Sequence, residues 1–280
     1  MPLRVSLAVC VAPVVAVFLI VAPALAAPVP LATYRAVHDM AADTVSSAEG
    51  GGILGGRLVT EFAGSSCDGY TTTTRFVTEG VDADGNDQLS DQRSKTFETA
   101  DGTMDFDNET YTDSKLTDHT KGTAKRNGNT ITVKLREPSR KTFTLDADVA
   151  FPTEQMTRVI DAAREGKHFL VFDVYDGSAK DGEGVQATST VIGAQSTAVD
   201  DVGDETSIAE AGLAGVRHWP ITVSYFDKDN GHTDEAPYFI LSSIMYDNGI
   251  LRQVRMDFGK FTMAGKLTQL DKVGSAACAR

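Results

Sequence analysis

Residues 238–270 read YFILSSIMYDNGILRQVRMDFGKFTMAGKLTQL. Three runs rich in aliphatic, aromatic and β-branched residues stand here in succession: Tyr238–Tyr246, Ile250–Phe258 and Phe261–Leu270. Asp247-Asn248-Gly249 separates the first two, and Asn and Gly tolerate the positive φ that a tight hairpin turn demands. The stretch therefore predicts three consecutive antiparallel strands.

The same pattern runs back along the chain. Asn129–Arg136 alternates, with Ile131, Val133 and Leu135 on one face and Thr130, Thr132 and Lys134 on the other. Tyr70–Thr78 places Tyr70, Thr72, Thr74, Phe76 and Thr78 on one face, and Lys141–Asp146 repeats the period through Phe143 and Leu145. Further strands are predicted at Arg57–Phe62, Lys95–Thr99, Met104–Thr112, Lys167–Tyr175, Gln186–Ile192 and Trp219–Phe226.

One segment departs from period 2. Met156, Val159, Ile160 and Ala163 recur at helical spacing, Pro152 and Thr153 precede them, and Gly166 stands where a C′ glycine belongs. A single main helix over residues 153–165 follows. Ala194–Gly215 is acidic, rich in Ala and Gly and without a period, and reads as a surface loop. No repeat and no Pro-rich linker divides the chain. The residues thus define a mainly β, antiparallel single domain with one helix, over 27–280.

Composition narrows the partners. The 280 residues hold 26 Lys+Arg against 39 Asp+Glu, a net charge of −13. That balance argues against nucleic acid, whose binding rests on cations neutralising phosphates, and against docking on anionic lipid through a basic patch.

Residues 1–26 read as a signal peptide: Arg4, an apolar run from Val5 to Val21, then Ala24-Leu25-Ala26 as an A-x-A cleavage site. An uncleaved anchor is the alternative. No later run reaches the roughly 18 apolar residues a span needs, so no transmembrane segment is expected after cleavage. Export implies an oxidising compartment. Cys10 leaves with the signal, so Cys67 and Cys278 most simply form one structural disulfide, stabilising by up to about 5 kcal/mol on the chain-entropy account.

Motifs of chemistry are weak. Gly50–Gly55 satisfies G-x-G-x-x-G but precedes a strand rather than a helix, and reads as a bend. Asp82–Asn86 and Asp227–Gly231 resemble openings of calcium loops but lack the later ligands, so turn chemistry accounts for them. His38, His119, His168, His218 and His232 show no zinc spacing, and each reads as solvated or hydrogen-bonded. No metal, cofactor or catalytic constellation is signalled.

Several segments together resemble the EipB family of periplasmic cell envelope integrity proteins from α-proteobacteria. They include YRAVH at 34–38, GGRLVTEFAGSSCDGYTTTTRFVT at 55–78, FPTEQMTRVIDAAREGKHFLVFDVYDG at 151–177, WPITVSYFD at 219–227 and FGKFTMAGKLTQL at 258–270. The resemblance implies a β-spiral, an overtwisted and incompletely closed barrel, with Cys67 bridged to Cys278. It also implies a role in envelope homeostasis with no enzymatic reaction. Tyr70 departs from the Trp that many relatives carry, and the 194–215 loop has no match.

Two functions follow. The favoured one is a non-enzymatic protein that binds envelope components on a concave apolar face or exposed strand edges: protein partners, lipoproteins or a lipid-like ligand. Met245, Met256 and Met263 would line such a groove, or else fill the ordinary core. A monomer is expected. The rival is a periplasmic hydrolase using Asp176, Asp181 or His119, which requires those groups to converge in one pocket.

Overall fold

The computed structural model describes residues 31–45, 52–82, 84–198, 205–227 and 236–274. The first run of strands comprises β1 (Tyr34–Val45), β2 (Gly52–Ser65), β3 (Gly69–Val81), β4 (Asp87–Glu98), β5 (Thr103–Thr112), β6 (Lys115–Asn127), β7 (Thr130–Glu137) and β8 (Lys141–Asp146). Helix α1 (Pro152–Arg164) follows. The second run comprises β9 (Phe169–Val174), β10 (Gln186–Ile192), β11 (His218–Asp227), β12 (Phe239–Tyr246), β13 (Leu251–Asp257) and β14 (Phe261–Lys272), with a one-turn helix α2 (Ser207–Glu210) between β10 and β11.

All pairings between these strands are antiparallel and form one sheet in the order β8-β7-β6-β5-β4-β3-β2-β1-β14-β13-β12-β11-β10-β9. Each run is a meander of hairpins. The two runs are fused by β1 against β14, from Tyr34 opposite Lys272 to Val45 opposite Phe261. The sheet's edges, β8 and β9, therefore flank α1 and do not pair with each other among the described residues. A single parallel bridge approaches closure: Ala150 N–H donates to Asp173 O at 2.8 Å, and Tyr175 N–H donates to Ala150 O at 2.9 Å. The mainly β, open-barrel expectation is met.

Alternation decides which side chains enter the interior. Ile131, Val133 and Leu135 are buried, as their period predicts, and join Met104, Phe106 and Tyr175 in one apolar cluster. A second cluster packs Val159, Ile160 and Ala163 of α1 against Ile192, Trp219, Ile221 and Met245. The helix ends as expected, with Gly166 at φ +73° and Lys167 N–H donating to Ala162 O at 2.9 Å.

Four readings are corrected. Strand β6 was not predicted, because KLTDHTKGTAKRN is polar and poor in β-branched bulk. Pairing to β5 and β7 on both sides makes it a strand, and its inward residues must be small. A Cβ on Gly122 would lie 2.6 Å from the Phe106 ring and 2.8 Å from Lys134 O. Strand β1 was also missed, although Tyr34, Ala36, His38 and Met40 all face inward and are buried. Gly52 to Gly55 belong to β2 rather than to a bend. Finally, the part of the 194–215 segment described from residue 205 onward is not all surface loop, because it sends Glu205, Ser207, Ile208, Ala211 and Leu213 into the interior. Ile208 and Leu213 pack with Tyr34, Phe62 and Tyr246. Glu205, 4% exposed, accepts from Leu267 N–H at 2.8 Å and faces the fully buried Arg252 at 3.6 Å.

The start of α1 is capped from a distance. Phe151 provides no side-chain cap. Instead Glu98, at the end of β4, accepts from the Thr153 amide and hydroxyl, both at 2.8 Å. Burial pushes the Glu98 carboxyl up to about 7. A raised folded-state pKa means that the native protein holds this proton more tightly than the unfolded chain. The associated stability is present below about pH 4.5 and is lost as pH rises through 7. Glu98→Gln, a permanent mimic of the protonated form, is expected to gain on wild type by on the order of 2 kcal/mol between pH 5 and pH 8. Denaturant melts of both proteins at the two pH values check this, and a constant difference would contradict it.

Candidate binding site

The interior of the open sheet is not filled. A cleft of about 500 Å³ lies between two walls of opposite chemistry. One wall is aromatic and comes from β11 to β13 and the turn that follows. Tyr225 and Phe239 are cross-strand partners with ring centroids 5.4 Å apart. Phe239 meets Phe258 at 5.0 Å, and Phe258 stacks on Phe261 at 4.7 Å. Met256, Leu58 and Phe76 continue this surface.

The facing wall carries amides and hydroxyls, because the inward positions of β4 and β5 are Gln92, Ser94, Asn108 and Thr110. Ser94 donates to Asn108 Oδ1 at 2.6 Å. Asn108 Nδ2 donates to the Asp176 carbonyl at 3.2 Å, and Thr120 donates to the Gly177 carbonyl at 2.6 Å. These bonds pin the segment after β9 across the cleft, where Asp176, Ser178 and Gln186 join the lining. Gly177 makes the docking possible: its φ is +72°, and a Cβ there would lie 2.3 Å from the Phe106 ring. Burial, with a smaller contribution from the Asp176 charge, pushes the Tyr238 phenol up, and burial pushes Tyr225 up to about 12. Both hydroxyls are therefore neutral donors at physiological pH. A second cavity of about 490 Å³ lies beside the start of α1, but Glu98, Thr153, Arg126 and Glu154 there bond to one another.

The sequence-derived site residues separate. Met256 lines the cleft, whereas Met245 (7% exposed) and Met263 (0%) are buried in two different apolar clusters. Of the three, only Met256 stands at the cleft, and Met245 and Met263 take the core position that the sequence reading gave as the alternative. Asp176 reaches the cleft. Asp181 sits exposed in a 3-10 turn at φ +59°. His119 lies on the outer face of β6, its Nε2 2.9 Å from Asp107 Oδ1. The convergence a hydrolase needs is not present. His218 is buried and hydrogen-bonded, its Nδ1 2.9 Å from Val216 O, and His38 is buried, which lowers it to about 4. His232 lies outside the described residues.

Asp107, Glu109 and His119 present ligand atoms within 4.8 Å of one another, a group that strand register assembles and sequence spacing does not reveal. Lys121 is held on Asp107 at 2.5 Å, and Tyr111 donates to Glu109 at 3.1 Å with Arg93 over the Tyr111 ring. Cations and a phenol thus already satisfy the carboxylates. Asp82, within the calcium-like fragment, accepts from the amides of Asp84 and Asn86 at 2.9 Å, the turn chemistry expected of it. Residues 228–231 of the second fragment lie outside the described residues.

Cys67 is disulfide-bonded, and Cys278 lies outside the described residues. Residues 1–26 lie outside them too. Among the described residues, no helix is long and apolar enough to cross a membrane.

Fold and cleft together define an open antiparallel β-spiral with an amphipathic interior. The chain matches the EipB-like family model over residues 25–274 and belongs to that family. It is 39% identical over 248 residues to the cell envelope integrity protein EipB of Brucella abortus (strain 2308), covering 88% of this chain and 86% of that one. The crystal structure of a β-barrel-like protein of a domain of unknown function from Brucella abortus superposes with a TM-score of 0.78 at 36% identity, covering 88% of this chain and all of that one.

The aromatic strip of Tyr225, Phe239 and Phe258 was not singled out from the sequence. Its signal was the density of aromatics at adjoining strand ends, in Tyr225-Phe226, Tyr238-Phe239 and Phe258 to Phe261. The three methionines supply a direct check. Met245→Ala and Met263→Ala are each expected to cost about 2–5 kcal/mol in urea unfolding, and Met256→Ala less than about 1 kcal/mol, because only the first two leave an enclosed void. Equal losses at all three positions would remove Met256 from the cleft.

Proposed function

We propose that this chain is a non-enzymatic periplasmic protein that maintains cell envelope integrity by binding an envelope component in the cleft. The observation that carries the reading is the two-walled interior: an aromatic strip faces amides and hydroxyls across about 500 Å³. Such a site suits an amphipathic ligand, with apolar chain on one side and polar groups on the other. The acyl part of a lipid or lipoprotein has that character, and protein partners at the strand edges are compatible with it. The relative's name supports the envelope role. The A-x-A signature at Ala24–Ala26 supports export.

Asp118 and Asp176 line the cleft, whereas the Arg93 guanidinium and the Glu109 carboxylate are held on the other face of the sheet by Asp91 and Tyr111. Two carboxylates at the cleft favour a neutral or amine-bearing headgroup over a phosphate-rich one. Solvent extraction of the purified protein followed by mass spectrometry is expected to recover such an amphiphile. Phe239→Asp, which places a charge in the aromatic strip, is expected to reduce the recovered amount at least tenfold. A wild-type protein that is empty in every preparation would sink the carrier form of this proposal.

The bridge is proposed to join Cys67 to Cys278 and to hold the chain's end against the β2–β3 turn. Cys67→Ser, Cys278→Ser and the double substitution are expected to lose the same stability, about 2–5 kcal/mol, with a titratable thiol only in the two single variants. Unchanged thermal midpoints under oxidising conditions would refute a stabilising bridge.

A further inference from the structure

The two carboxylates at the cleft stand without cations. Asp118, on β6 opposite Thr110 of β5, has no hydrogen bond and no ion pair among the described residues. Asp176 is pinned at both ends. Its carbonyl accepts from Asn108 Nδ2 at 3.2 Å, and its Oδ1 accepts from the Ser178 amide at 2.8 Å and the Ser178 hydroxyl at 2.7 Å. Its Oδ2 takes no hydrogen bond and no ion pair among the described residues. Arg93, at the margin, is bound by Asp91 at 2.7 Å on the other face and neutralises neither. By contrast Asp91, Asp107 and Asp247 each hold a cation of this chain.

The facing wall supplies rings where the cation is missing. The Tyr238 amide donates to Tyr225 O at 3.0 Å, which sets Tyr238 beside the Tyr225–Phe239 pair. The Asp176 charge contributes to raising both phenols, so this carboxylate lies within electrostatic reach of the two rings. Tyr225 and Phe239 are inclined by 37°, as are Phe239 and Phe258, so the rings do not stack flat on one another. A carboxylate beside electron-rich ring faces suits an organic cation, which the rings attract through their quadrupoles. An anionic headgroup would be repelled by both carboxylates, and a neutral one would leave them uncompensated as it displaced their water.

We propose that the cleft recognises its amphiphile through an ammonium group held between the Asp176 carboxylate and the rings of Tyr225, Tyr238 and Phe239, with Asp118 completing the negative side. The apolar chain lies along Phe258, Met256, Leu58 and Phe76. The net charge of −13 draws such a cation toward the mouth. This specificity rests on the cleft being the place where the amphiphile binds, and it adds the identity of the headgroup.

Isothermal titration calorimetry with three amphiphiles of one chain length tests this: decyltrimethylammonium, decyl sulfate and decyl maltoside, each below its micelle concentration. Decyltrimethylammonium is expected to bind about tenfold more tightly than decyl maltoside, and decyl sulfate more weakly than either. Asp176→Asn is expected to remove about fivefold of the cation's affinity while leaving decyl maltoside within about twofold. Phe239→Leu keeps an apolar side chain but loses the ring, and is expected to remove about threefold of the cation's affinity. Glu61→Gln, at an exposed carboxylate on the outer face of β2, should change nothing. A loss there equal to that of Asp176→Asn means general attraction to an acidic protein and overturns the proposal. Equal affinity for the cation and the maltoside overturns the headgroup assignment but leaves the cleft as a binding site. If no decyl chain binds, or Phe239→Asp leaves decyl maltoside binding intact, the cleft itself is refuted as the site, and the headgroup assignment with it.

Discussion

The ladder between β1 and β14 is the constraint on which the rest of the molecule depends. It joins the first strand of the chain to the last and converts two separate meanders into one sheet. Thr33 extends the seam, its hydroxyl donating to Val273 O and its carbonyl accepting from Val273 N–H. With the ends joined at the centre, the middle of the chain must supply both edges. The residues between β8 and β9 then have to span the opening, and α1 is what they form. A ladder between residues so distant in sequence carries a large loop-closure cost before any contact is gained. Cys67, at the turn between β2 and β3, is disulfide-bonded.

How much of this was legible follows from where the signal resides. Strands with one buried face announce themselves by alternation, as β7 does through Ile131, Val133 and Leu135, and α1 by its 3.6 period. Strand β6 gives no such signal, because its inward residues Thr120, Gly122 and Ala124 were shaped by Phe106 and the segment at Gly177 rather than by their own hydrophobicity. The segment from Glu205 to Leu213 misleads in the opposite sense. Glu205 is a buried partner of Arg252, and Ile208, Ala211 and Leu213 are core. Breaking one side of such a pair costs about 3–5 kcal/mol, a dependence that composition does not reveal. The cleft was foreseen as a concave apolar face, but its residues were not, because they meet only through register: Tyr225 beside Phe239, and Ser94 beside Asn108.

Charge is distributed with the same logic. The acidic excess lies largely on the outer face and the loops, where Asp91 accepts from Arg75 at 2.9 Å and from Arg93 at 2.7 Å. Asp107 holds Lys121 and His119 on the next strand pair. These ion pairs are partly solvated, so each contributes little to stability. Their effect is to keep the broad outer surface of β3 to β6 polar and unsuited to edge-to-edge or face-to-face association. The contrast with β9 is direct: the outer face there carries Phe169, Val171 and Val191 with no charge between them.

Why the barrel stops short of closure can be argued from the two ends of α1. At its start the helix is held to β4 by Glu98 and to β6 by Arg126, which reaches both Val149 O and Glu154. At its end Arg164 donates to Asp247, which also receives Arg217, so the helix is tied to the β12–β13 turn. A helix anchored to both runs of strands keeps β8 and β9 apart and permits only the Ala150 bridge. Moving β9 into register with β8 would require those ties to break and the cluster around Val159 and Ile160 to open. The opening is therefore built into the packing. An unpaired β9 edge and an interior accessible from one side are two consequences of the same helix.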